Sequence, residues 1–102
     1  MILFAETAFS SGLVTLEVLE VHIALVTLNR PLARNPINAE MANAIEAIVS
    51  RTEADHNVWV VVLTGTGPDV FCAGADLKEV AAGRATSLFT SNGFAGFVDA
   101  DR

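Results

Sequence analysis

Apolar and polar positions alternate from Leu13 to Asn29, and the run LVTLEVLEVHIALVTLN predicts two strands. Val14, Leu16, Val18 and Glu20 alternate with Thr15, Glu17, Leu19 and Val21, so the first strand is only partly two-faced. A hairpin turn is expected around Leu19–His22, with the chain returning as a second strand over Ile23–Leu28. Arg30-Pro31 ends that strand, because proline cannot donate to a sheet ladder. After a loop over Leu32–Ile37 the period changes. Met41, Ile45, Ile48, Val49 and the Thr52 methyl fall on one helical face between Ala39 and about Asp55. Asn38 is placed to cap that helix, and Glu40 lies in its first turn.

Val58–Thr64 is a continuous apolar, β-branched run, as in a strand covered on both faces. Gly65–Asp69 is a turn, Val70–Cys72 a short extended piece, and Ala73–Ala75 a loop of small residues. Asp76 reads as the cap of a helix from Leu77 to about Ala82, ended by Gly83. Ser87–Val98 is expected to be a further helix, weakened by Gly93 and Gly96. Residues 1–12 are expected to be a loose N-terminal arm, leaving 13–102 as the folded unit.

Composition narrows the classes. A chain of 102 residues holds one small domain, and 52% hydrophobic residues predict an apolar surface that packs on something further. A net charge of −6 with no basic cluster argues against nucleic acid as a partner. No uninterrupted apolar run approaches the ~18 residues of a membrane helix, and the N-terminus lacks a basic signal region, so a cytoplasmic location without membrane attachment is expected. One cysteine, Cys72, excludes an intramolecular disulfide. No basic residue adjoins Cys72 in sequence, and it reads as a small hydrophobe. His22 and His56 are far apart in sequence and make no metal set with Cys72.

The candidate chemistry lies in Phe71-Cys72-Ala73-Gly74-Ala75-Asp76-Leu77. Nearly bare backbone at a strand-to-helix junction suits two roles: close packing, or N–H donation to a developing negative oxygen. Gly65-Thr66-Gly67 lacks the Gly-Lys-Ser/Thr sequel of a phosphate loop.

Four segments, in order, are similar to the crotonase superfamily, the enoyl-CoA hydratase/isomerase family. They are Ala24–Pro31, Arg34–Met41, Val60–Gly65 and Phe71–Leu77. The resemblance implies an α/β fold, the N-terminal part of a crotonase-type spiral of ββα units, truncated at Arg102. It implies an acyl-CoA thioester as substrate with no separate cofactor, fatty acid metabolism, and a homo-oligomer, trimeric or hexameric in the family. By position, Ala75 would give one backbone N–H of an oxyanion hole. CoA contacts would come from Ala33 and Arg34, and from Ala73 through Asp76 and Leu77 to Lys78; Arg34 and Lys78 are the side chains available to face a CoA phosphate. The family's second donor and two catalytic glutamates match nothing in this chain. That leaves two expectations. One is a hydratase-type lyase or isomerase; the other is a truncated, non-catalytic paralogue that binds CoA or assembles with full-length relatives. An unpaired apolar edge on Val58–Thr64 would favour self-association.

Overall fold

The computed structural model describes residues 2–7, 12–19 and 22–98. A four-stranded sheet has the order β1 (Ile2–Thr7), β2 (Val14–Leu19), β3 (Ile23–Leu28) and β4 (Val60–Gly65). The first three strands are antiparallel neighbours, and β4 is parallel to β3. Helix α1 (Ala39–Glu53) makes the crossover between the parallel pair.

Register explains the core. Val14 faces Leu28, Leu16 faces Val26 and Val18 faces Ala24; then Ala24, Val26 and Leu28 face Val61, Leu63 and Gly65. Side chains one period apart therefore line a single face. On β2 and β3 that face is buried, and α1 covers it with Met41, Ala42, Ile45, Ile48, Val49 and Thr52. Each fully buried side chain of leucine size contributes about 1.5–3 kcal/mol over an exposed one. The helical face read from the sequence is the one that packs. Its cap is also as expected: Asn38 Oδ1 accepts from the Met41 N–H at 2.9 Å.

Four expectations are corrected. Ile2–Thr7, expected to be part of a loose arm, is a strand that pairs with β2 and so satisfies that strand's outer backbone groups; residues 8–11 lie outside the described residues. β4 is not covered on both faces. It lies at the edge of the sheet with Val60 and Val62 exposed, while Val61 and Leu63 are only partly buried. Beside them, between β3, β4 and α1, is an apolar hollow of about 300 Å³ lined in part by Ile48, Val49 and Phe97. Val70–Cys72, expected as an extended piece, forms no strand.

The fourth correction concerns Ser87–Val98, which is not a helix. A 3-10 turn (Ala85–Leu88) leads into β5 (Phe89–Thr90) and β6 (Gly93–Phe94), a minimal antiparallel pair. Gly93, Ala95 and Gly96 have φ of 84°, 58° and 82°, and three left-handed residues so close together stop a right-handed helix. Gly96 also packs on α1: a β-carbon there would lie 2.3 Å from the Ala42 carbonyl oxygen.

The hairpin turn between β2 and β3 falls where expected, though Glu20 and Val21 lie outside the described residues. His22 takes the left-handed conformation, with φ of 65°. Its ring stacks on Trp59 at a centroid distance of 4.0 Å, and its Nδ1–H donates to the Asn57 carbonyl at 2.8 Å. The helix expected from Leu77, α2, spans Leu77–Ala81 with Ala82 as its C-terminal cap, and Gly83 follows with φ of 77°.

Candidate active site

The loops that leave β3 and β4 meet at one end of the sheet. The turn after β3 is tight: the N–H groups of Ala33 and Asn35 both donate to the Arg30 carbonyl, at 3.1 and 2.9 Å. Arg34 and Asn35 take φ of 69° and 55°. This conformation turns the Asn35 side chain inward, where it is fully buried and satisfied. Its Oδ1 accepts from the Arg30 N–H at 2.8 Å, and its Nδ2 donates to the carbonyls of Thr66 at 2.8 Å and Phe71 at 3.1 Å. One amide thereby ties the β3 loop to the β4 loop. Gly65 is required beneath it, since a β-carbon would lie 2.1 Å from the Phe71 carbonyl oxygen and 2.7 Å from Asn35 Nδ2.

The second tie is a backbone bridge between Ile37 and Ala75 in the parallel sense. The Ile37 N–H donates to the Gly74 carbonyl at 2.7 Å, and the Asp76 N–H donates to the Ile37 carbonyl at 2.8 Å. In a parallel bridge the residue opposite directs its own N–H away from that partner. The Ala75 N–H accordingly has no hydrogen-bond partner among the described residues. Ala75 lines a cleft of about 290 Å³ with Arg30, Ala33, Pro36, Ala73, Asp76, Leu77 and Lys78.

Of the residues singled out in the sequence, Ala33, Ala73, Ala75, Asp76, Leu77 and Lys78 are thus brought to one cleft. Arg34 is not among them. It lines a separate depression of about 60 Å³ with Thr66, Gly67 and Asp69. Cys72 is half-buried, packs against the core, and its Sγ accepts from the Gly74 N–H at 3.3 Å. Phe89 and Phe94 meet edge to face, with centroids 5.5 Å apart, and neither lines the cleft.

Asp76 caps α2, with Oδ1 accepting from the Lys78 N–H at 2.9 Å. Its other oxygen accepts from Arg30 Nη1 at 2.9 Å. The hydrogen bond from Arg30 holds the Asp76 carboxyl below the usual aspartate range, with the Lys78 N–H and the charges of Arg30 and Lys78 acting in the same direction against desolvation. Glu79, next along, pairs with Arg84 at 2.6 Å. Sequence reasoning passed over Arg30 and Asn35 as functional residues. Their roles are made by partners 31 to 46 residues away, and no local period records such pairing.

Among the described residues no group of His, Cys, Asp and Glu could hold a metal ion, and no helix is long and apolar enough to cross a membrane.

A βαβ sheet with a backbone-lined cleft at its strand ends is the arrangement of a crotonase-type α/β protein. The chain belongs to the enoyl-CoA hydratase/isomerase family, whose sequence model matches residues 19–99. It is 53% identical over 58 residues to a putative enoyl-CoA hydratase/isomerase, YngF, of Bacillus subtilis, covering 57% of this chain and 22% of that protein. It is 46% identical over 66 residues to the (E)-benzylidenesuccinyl-CoA hydratase of Thauera aromatica, covering 65% of this chain and 25% of that protein. Among solved structures, carnitinyl-CoA hydratase from Mycobacterium avium superposes with a TM-score of 0.73 at 38% identity, over 84% of this chain and 33% of that one. The chain spans about a quarter of the length of these curated relatives.

Proposed function

We propose that the cleft at the strand ends binds an acyl-CoA thioester, and that the Ala75 N–H donates to its carbonyl oxygen. The observation that carries this reading is the Ala75 N–H, without a hydrogen-bond partner among the described residues, held between two backbone hydrogen bonds and set in a cleft that Ala33 and Ala73 also line. A donor fixed before the ligand arrives costs no reorganisation when negative charge develops on the oxygen, and one such donor is worth about 100- to 1000-fold in rate. Family membership supports a CoA thioester as the ligand class. Lys78, at the cleft, and Arg34, in its separate depression, are the side chains offered to a CoA phosphate.

In this reading the chain contributes binding and polarisation. Asp76 is the only carboxylate lining the cleft among the described residues. It is committed to Arg30 and to the α2 cap, so it is poorly suited to carry a proton near neutral pH. Water addition or proton transfer beside the polarised carbonyl is left to carboxylates other than Asp76 and Glu79, both of which are engaged here.

The test is a titration of the 102-residue chain with acetyl-CoA and with free CoA, following backbone amides by NMR. Acetyl-CoA is expected to move the Ala75 amide resonance more than free CoA does, with no hydration of an added enoyl-CoA. Binding that leaves Ala75 unmoved, or absence of binding, overturns the proposal.

A further inference from the structure

Arg30 lines the cleft, and a cation there invites the reading that it binds a ligand anion directly. Its contacts point elsewhere. Nη1 donates to the Pro36 carbonyl at 2.9 Å and to Asp76 Oδ2 at 2.9 Å, so this nitrogen joins the β3 loop to the β4 loop. Both acceptors flank the bridge that fixes Ala75. Pro36 precedes Ile37, which bonds on either side of Ala75; Asp76 follows Ala75 and gives its own N–H to Ile37. The Arg30 backbone is anchored too, through its N–H to Asn35 Oδ1 at 2.8 Å. The ion pair is mostly shielded, with the two side chains 21% and 10% exposed. An arginine so held is a fixed strut, because its planar fork is oriented by its partners.

We propose that Arg30 is a positioning residue: through Pro36 and Asp76 it sets the direction of the Ala75 N–H, and so governs recognition of the thioester carbonyl without itself contacting the ligand. The inference rests on the proposed acyl-CoA site for its ligand and on the hydrogen bonds alone for its mechanics.

The experiment compares the parent chain with Arg30→Gln, using acetyl-CoA and an S-ethyl-CoA thioether that has no carbonyl. Arg30→Gln is expected to reduce the preference for thioester over thioether roughly tenfold, the equilibrium worth of about one hydrogen bond, while thioether affinity holds. An equal fall for both ligands overturns the proposal and makes Arg30 a direct anion contact. Amide hydrogen exchange at Ile37 and Asp76 is the second readout, and it needs no ligand. Loss of the strut is expected to speed exchange at both about tenfold, with exchange in β2 and α1 unchanged; unchanged rates at Ile37 and Asp76 overturn the proposal. If the parent binds neither ligand, the acyl-CoA reading fails while the exchange data still decide the strut. Should Arg30→Gln fail to fold, Asp76→Asn, which keeps a capping oxygen, carries the same comparison.

Discussion

Two buried regions lie on the same strands and are built on opposite principles. Between α1 and the sheet, the buried side chains are apolar but for Thr52, and they repeat with the period of the element that carries them. At the ends of β3 and β4 the buried groups are polar. Asn35 is fully enclosed and Asp76 nearly so, and each joins one local hydrogen bond to another with a partner more than thirty residues away. The first region tolerates adjustment, because dispersion and hydrophobic burial are non-directional. The second does not: an amide turned the wrong way leaves buried carbonyls without donors. The comparison implies that the apolar region absorbs small changes of shape at modest cost, while the polar one aims the loops and does not absorb a change of donor into acceptor.

The largest effect that would break this contrast is at the point where the regions touch. Gly65 ends β4 opposite Leu28 and underlies Asn35. Gly65→Val would drive side-chain atoms into the Phe71 carbonyl and the Asn35 amide, where a β-carbon alone already lies 2.1 Å from backbone. The expected outcome is loss of the cooperative thermal transition, read by circular dichroism. A stable, cooperatively melting variant would show that the loops are free to move apart.

Next comes a pair of near-isosteric changes, one in each region. Ile45→Val, in the apolar region, removes one buried methylene and is expected to cost about 0.5–1.5 kcal/mol in urea unfolding. Asn35→Asp changes almost no volume, yet it turns a donor facing the Thr66 and Phe71 carbonyls into an acceptor. Its expected cost is about 3–5 kcal/mol, because a buried charge and orphaned carbonyls arise together. Comparable losses for the two would erase the distinction.

The same contrast explains what could be read from the sequence. Ile45, Ile48 and Val49 announce a helix because three side chains at helical spacing cannot all be buried in any other local form. Val14, Leu16 and Val18 announce a strand in the same way. The small-residue loop Phe71–Leu77 stood out as bare backbone, while Ala75 within it was picked out only by the family resemblance. The role of Arg30 was not recognisable: its significance is a contact with Asp76, 46 residues on. The stretch from Ser87 to Val98 misled for a related reason. Its apolar spacing suits a helix, but Gly96 is dictated by the Ala42 carbonyl it touches, and sequence spacing holds no trace of that contact. β4 misled through its composition, since an apolar run states what the strand could bury and not what covers it.

The smallest effect separates the regions by pH. The Asp76 carboxyl is held below its ordinary value, chiefly by the Arg30 hydrogen bond. A group with a depressed folded pKa contributes stability that is fully present above its unfolded value, about 3.9, and is lost as pH falls through the folded one. The loss should therefore begin only below about pH 4. It should affect the loops first: protection of the Ile37 and Asp76 amides, measured against their intrinsic exchange rates, should fall in acid before protection in β2 does. Asp76→Asn removes the titrating group and should flatten that acid dependence while lowering stability at pH 7. If the variant keeps the parent's acid dependence at these two amides, another carboxyl governs the loops, and the link from Arg30 through Asp76 to Ala75 is not what holds them.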